Sequence, residues 1–263
     1  MEIAEYPYFC HMTQQVDIVG MLDTLEHAGS NDVVILQACA HNPTGVDLSK
    51  SQWIQVAEKV QEKKLFAVFD SAYQGFATGD IDDDAWAVRY FTESIYKTQG
   101  ASGICVAQSF SKNFGLYGER VGALHVVAPG NLSTQGVRGH LMALARAEYS
   151  NPPRFGACIV ETVLGDKVLR SQWETDLETM SSRIQKMRGA LRQELEKETE
   201  KDWSYIETQI GMFSYTGLTK EQVSRLREDF HIYLLPSGRM SVCGLNEGNV
   251  KYVARAVGEV IKV

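Results

Sequence analysis

The sequence has no apolar run long enough to span a bilayer. Its five cysteines, Cys10, Cys39, Cys105, Cys158 and Cys243, are scattered, odd in number and never spaced as C-x-x-C. That pattern argues against a disulfide framework and predicts buried free thiols in a reducing compartment. The six histidines show no metal-ligand spacing, so no metal site is expected. An excess of cations is missing too. With 26 Lys and Arg against 33 Asp and Glu, the formal charge of −7 speaks against a nucleic-acid footprint or an anionic membrane surface. A pocket for an acidic ligand would still need only a few arginines. No internal repeat or low-complexity tract occurs, and the acidic start Met1-Glu2-Ile3-Ala4-Glu5 does not read as a signal or transit peptide. The acidic pI and that start lean towards the cytoplasm, with a mitochondrial origin left open.

What remains is an ordinary globular composition. The 263 residues are 44% hydrophobic and 22% charged, enough for one large core or two modest ones. Residues 1 to 16 carry no period and read as an irregular lead-in. Ile18, Met21, Leu22 and Leu25 have helical spacing within Asp17 to His27. Val33 to Leu36, Leu65 to Phe69, Ile104 to Ala107 and Val121 to Val127 read as strands, the third as a buried strand of a parallel sheet. Between them, Asp47 or Ser49 can cap a helix whose inner face is Trp53, Val56, Ala57 and Val60. Asp80 to Asp84 reads as a solvated acidic loop, and Asp84 to Lys97 as a helix. The alternation is that of an α/β fold.

After Gly136 the pattern turns helical, interrupted at Ser150-Asn151-Pro152-Pro153. Trp173, Leu177, Met180, Ile184, Met187, Leu191 and Leu195 form one stripe of a long amphipathic helix, a natural bridge between two domains. Met212 to Tyr215 and Ile232 to Leu235 read as strands of a smaller α+β set. Thr219 with Gln222 makes a capping box for a helix through Phe230, and Val250, Val253, Val257 and Val260 mark a last helix.

The stretch around which the chain is organised is Ser109-Phe110-Ser111-Lys112-Asn113-Phe114-Gly115-Leu116-Tyr117-Gly118-Glu119-Arg120. A lysine just past a strand end lies where ligand sites of open α/β sheets gather. A lone lysine is ordinarily a surface charge. Here Ser109 adds a hydroxyl and Arg120 a fixed cationic fork, a set able to hold a phosphate beside an amine that could form a Schiff base.

This segment resembles the active-site lysine region of the aspartate aminotransferases, pyridoxal-phosphate enzymes of the class-I aminotransferase family. Cys39-Ala40-His41-Asn42-Pro43-Thr44-Gly45-Val46-Asp47, Phe69-Asp70-Ser71-Ala72-Tyr73-Gln74-Gly75-Phe76 and Leu235-Pro236-Ser237-Gly238-Arg239 resemble further family segments in the same order. The resemblance implies a fold-type I transferase: part of the large mixed or parallel-sheet domain over residues 1–165, then an interdomain helix and a smaller α+β domain over 166–263. By the same resemblance Lys112 is the Schiff-base and proton-transfer residue, and Asp70 faces the pyridinium nitrogen. Tyr73 and Asn42 address the ring's phenolic oxygen, and Ser109 and Arg120 hold the phosphate. Arg239 grips the substrate α-carboxylate, and Arg146 binds the distal carboxylate across a dimer. His41 reads as structural. Gly118 stands where many members carry Asn; both tolerate positive φ, so the exchange reads as neutral.

The implied reaction is reversible amino transfer from L-aspartate to 2-oxoglutarate, giving oxaloacetate and L-glutamate. The implied cofactor is pyridoxal 5′-phosphate, and the partners are dicarboxylic amino acids, 2-oxo acids and a second subunit. The family carries about a third of its length ahead of the part matched here, so an N-terminally truncated chain is expected. A truncated non-catalytic homologue, or interaction partner of a full-length subunit, is the alternative. A pyridoxal-phosphate lyase or decarboxylase is disfavoured by Arg146 and Arg239 together.

Overall fold

The computed structural model describes residues 2–97, 102–128 and 133–262. The lead-in is more ordered than its sequence suggests: β1 (Phe9–Cys10) and β2 (Gln15–Val16) pair as a small antiparallel hairpin. Asp17 then caps α1 (Ile18–Glu26), its carboxylate accepting from Gly20 N at 3.0 Å. A four-stranded sheet follows in the order β3 (Val33–Gln37), β4 (Phe66–Ser71), β5 (Ile104–Ser109) and β6 (Gly122–Val127). The first three are parallel and β6 is antiparallel to β5, so the sheet is mixed.

α2 (Lys50–Glu62) crosses over between β3 and β4, started by a complete Ser49–Gln52 capping box. Its predicted face, Trp53, Val56, Ala57 and Val60, is buried against the sheet. Trp53, Phe69 and Phe91 meet there with ring centroids 4.9 to 5.9 Å apart. The helix expected over 84–97 is α4 (Trp86–Lys97), and the acidic run read as a loop instead forms a short helix, α3 (Ile81–Asp84), with Ala85 as its C-cap. Asp80 starts α3 by accepting from Asp82 N and Asp83 N.

The strands are covered on one face only. Val34, Leu36, Ala67, Phe69, Ile104 and Val106 are buried, whereas Val33, Ile35, Asp70, Ala107 and Leu124 on the opposite face are exposed. The expectation of a strand buried on both sides therefore fails for β5. Likewise only Cys39 among the cysteines is fully buried; all five are free and the other four are partly exposed.

α5 (Thr134–Glu148) buries none of its side chains, and α6 (Phe155–Gly165) follows the Asn151-Pro152-Pro153 break. α7 (Lys167–Glu198) is 32 residues long, capped by Asp166. Leu177, Ile184, Met187, Leu191 and Leu195 of the predicted stripe are buried, but Met180 is 37% exposed and Ser181 is buried in its place. After α8 (Ser204–Thr208), β7 (Phe213–Tyr215) leads to α9 (Lys220–Phe230), opened by the predicted Thr219–Gln222 box.

The strand expected at 232–235 is absent. Those residues alternate in exposure without a ladder partner, and Tyr233 is 76% exposed. The partner of β7 is instead β8 (Arg239–Ser241), because Gly238 at φ 81° turns the chain back after Leu235. A 3-10 turn (Val242–Gly244) and α10 (Val250–Ile261) complete a second core around α7, with all four predicted valines of α10 buried. No helix among the described residues is long and apolar enough to cross a membrane.

Candidate active site

Lys112 follows β5 in a loop braced from beneath. Phe110 meets Phe114 edge-on at 5.5 Å, and Phe114 stacks on Trp173 of α7 at 4.6 Å. The Trp173 indole N–H donates to Asn113 O at 2.8 Å, and Asn113 Nδ2 donates to Gln74 O at 3.3 Å. Ser109 Oγ accepts from Ser111 N at 3.2 Å, and Arg120 Nη1 donates to Ser111 Oγ at 3.3 Å. Two hydroxyls and a guanidinium thus share one end of the loop. Arg120 holds the left-handed conformation at φ 51°, uncommon for a side chain of its size. The other left-handed position is Gly115 (φ 67°), not Gly118. A Cβ at Gly118 would meet open space, so the exchange with Asn is harmless for a steric reason rather than a conformational one.

Four of the sequence-predicted residues form a continuous chain. Lys112 Nζ lies 4.8 Å from the centre of the buried Tyr73 ring. The Tyr73 hydroxyl accepts from Asn42 Nδ2 at 3.2 Å, and Asn42 Oδ1 accepts from Arg239 Nη1 at 2.6 Å. Burial pushes the Tyr73 hydroxyl above the usual phenol range, opposed by Arg239 and Asn42. Residues 197 positions apart in sequence are joined here.

Each member is held from behind. Asn42 N and O bond the Gln37 side chain at 2.8 and 2.9 Å. Asp47 accepts from Ala40 N and His41 N at 2.6 and 2.8 Å. His41 stacks on Tyr8 at 3.7 Å and pairs with Thr44 Oγ1 at 2.9 Å, a structural histidine as expected. The guanidinium of Arg239 lies 4.3 Å over the Phe213 ring, which also meets Tyr73 edge-on at 5.9 Å.

Asp84, read from sequence as part of a solvated loop, is buried. It accepts from Gly75 N, Ala77 N, Thr78 N and Thr78 Oγ1 at 2.7 to 3.0 Å, closing the turn that carries Tyr73. A charge run gives no sign of which member turns inward. From sequence Phe213 reads only as part of a strand and Trp173 only as part of an apolar helical stripe.

Asp70 sits inside β4 rather than just after it, beside Gln37 and Ala107 in register, on the bare face of the sheet near the ends of the parallel strands. Arg146 is not brought to the others. It lies on exposed α5 and donates to Ser150 Oγ at 2.8 Å. Among the described residues, Lys112, Arg120 and Arg239 have no carboxylate partner within ion-pair distance. Cations without counter-ions, beside hydroxyls and an aromatic ring, suit a ligand that is both anionic and aromatic.

The sequence model of the family described as aminotransferase class I and II matches residues 1–257. The chain is 46% identical to the cytoplasmic aspartate aminotransferase of Saccharomyces cerevisiae, over 100% of this chain and 63% of that protein. The solved structure of the Saccharomyces cerevisiae cytoplasmic enzyme superposes with a TM-score of 0.95 at 44% identity, covering 100% of this chain and 64% of that one. An aromatic-amino-acid aminotransferase from Burkholderia pseudomallei, covalently bound to pyridoxal phosphate, gives 0.93 at 43% identity over 99% and 64% of the two chains. The chain therefore spans under two thirds of the length of these relatives, and what it spans has the mixed α/β fold of the fold-type I transferases. On the sequence match across nearly its whole length, the chain belongs to the aminotransferase class I and II family.

Proposed function

We propose that this chain carries the lysine, ring-facing and carboxylate-binding groups of an aspartate aminotransferase that uses pyridoxal 5′-phosphate. The observation that carries this reading is the Lys112–Tyr73–Asn42–Arg239 chain, with three cations that lack anionic partners among the described residues. Bound pyridoxal phosphate supplies an electron sink for the substrate's Cα. Arg120, Ser109 and Ser111 would hold its phosphate, and Lys112 Nζ would be the amine available for covalent attachment. Once free, the same amine moves the proton at Cα. Asp70 would supply a carboxylate to keep the ring nitrogen protonated, and the Tyr73 hydroxyl with Asn42 Nδ2 would donate to the phenolic oxygen. Arg239 takes the α-carboxylate in a bidentate pair while Asn42 fixes its fork.

Net transfer turns L-aspartate and 2-oxoglutarate into oxaloacetate and L-glutamate. Exposed Arg146 suits the distal carboxylate in a partner subunit's site, which makes a homodimer part of the proposal. In this reading residues 1–165 belong to the large domain and 166–263 to the linking helix and small domain. A cytoplasmic location is supported by the cytoplasmic enzyme of Saccharomyces cerevisiae that the chain resembles.

The test is borohydride reduction of the purified chain with pyridoxal phosphate, followed by peptide mass mapping. Label confined to Lys112, and lost in Lys112→Ala, is expected. Absent label, or label spread over many lysines, would remove the catalytic reading for this chain and leave a non-catalytic homologue.

A further inference from the structure

Arg188 is a buried cation that the proposed chemistry does not use. It projects from α7, is 1% exposed and has no carboxylate partner among the described residues. Its fork is spent on main-chain carbonyls. Nη1 donates to Ile206 O at 3.1 Å, and Nη2 donates to Gly211 O at 2.8 Å and to Phe213 O. Burial pushes the guanidinium down to about 10, so it remains charged at neutrality. A desolvated charge held by three carbonyls is costly and is not explained by stability alone.

The segment it grips forms the floor of the site. Gln209, also buried, binds Ser214 Oγ at 2.5 Å and Tyr215 N at 3.0 Å, knitting the same run from the other side. The outer surface of that run lies against the asparagine loop. Ile210 N donates to Gly45 O at 2.7 Å, and a Cβ added to Gly211 would come within 2.5 Å of Ala40 Cβ. Phe213 presents its ring to Arg239 and to Tyr73 while its carbonyl is held by Arg188.

We infer that Arg188 is a positioning residue: by fixing the Gly211–Phe213 backbone it sets the Phe213 platform and the asparagine loop, and so the orientation of Arg239 towards a carboxylate. This rests on the carboxylate-binding reading of Arg239. A planar fork reaching three carbonyls cannot be copied by an ammonium on a flexible stem, so Arg188→Lys should keep the charge and lose the alignment. Misplacement of a binding group by about 1 Å is enough to cost a factor of ten or more.

The experiment compares the unsubstituted chain with Arg188→Lys and Arg188→Met, with Arg239→Ala as a reference. It uses succinate as a non-reacting dicarboxylate in calorimetric titration and two-dimensional NMR of side-chain amides and indoles. Arg188→Lys should unfold cooperatively and bind succinate about tenfold or more weakly. Its Asn42 amide signals should shift, while the Trp53 indole signal in the other core stays in place. Unchanged succinate affinity in a variant whose stability alone falls would overturn the inference. If the unsubstituted chain binds no succinate, the carboxylate reading of Arg239 fails on its own. The NMR comparison then decides, and unmoved Asn42 signals refute a positioning role. If Arg188→Met does not fold, Arg188→Lys still provides both readouts.

Discussion

Asp47 and His41 share the asparagine loop and titrate in opposing senses. Burial raises the Asp47 carboxyl to about 6, against the two backbone N–H groups it accepts from, and lowers His41 to about 4. A raised carboxyl favours the folded state while protonated, so Asp47 subtracts stability as pH climbs from about 4 to about 6. A depressed histidine favours the folded state while neutral, so His41 adds stability over the interval from about 4 to 6.5. The two slopes offset one another. In Asp47→Asn the balance is broken, and the variant should gain on the parent by up to about 3 kcal/mol between pH 4 and 6, with no further change above. Urea unfolding at stepped pH measures this, and a difference that ignores pH would contradict it. A second substitution tests the ring-facing pair. Tyr73→Phe removes the hydroxyl that Asn42 Nδ2 donates to, and should reduce trapping at Lys112 without abolishing it. Loss of trapping as complete as in Lys112→Ala would contradict that.

At the scale of elements, the turn from Ser71 to Asp84 depends on one carboxylate. Removing Asp84 takes the acceptor from the buried Gly75 and Ala77 N–H groups and from the more exposed Thr78 N–H, while the Thr78 hydroxyl keeps Asp80 O at 3.1 Å. Asp84→Ala should cost about 2–4 kcal/mol in a denaturant titration. Asp84→Asn should fare little better, because an amide NH₂ would face two of those donors. The contrast with its neighbours shows what was legible. Ser49–Gln52 and Thr219–Gln222 were readable because a capping box is a local code, complete within four residues. The strands β3 to β6 were readable from their apolar runs. β8 was not, because pairing depends on which strand lies alongside, and Ile232 to Leu235 carried the stronger apolar signal. The site residues Lys112, Tyr73, Asn42 and Arg239 came from resemblance, and their meeting is a tertiary fact. Arg188 was hidden by type: position 188 lies on the buried face of α7, but an arginine there reads as solvent-facing.

Over the whole molecule, exposed apolar side chains stand on one face of the sheet and on α5. Val33, Ile35 and Leu124 are more than half exposed on the sheet, as are Met142 and Leu144 on α5. Such surface favours association. Sedimentation velocity should show concentration-dependent self-association that Ile35→Lys and Leu144→Glu reduce, whereas a strictly monomeric chain at high concentration would count against this. α7 sets a different constraint. Trp173 steadies the lysine loop and Arg188 grips the strand opposite, both from one unbroken helix and about 22 Å apart along its axis. The interval behaves as a ruler. One extra residue between them would swing Arg188 round by about 100° and advance it about 1.5 Å, aiming its fork away from the carbonyls. Seven would restore the direction but carry the strand about 10 Å too far. Length variation in this lineage should therefore fall outside the stretch from Trp173 to Arg188, leaving that spacing invariant.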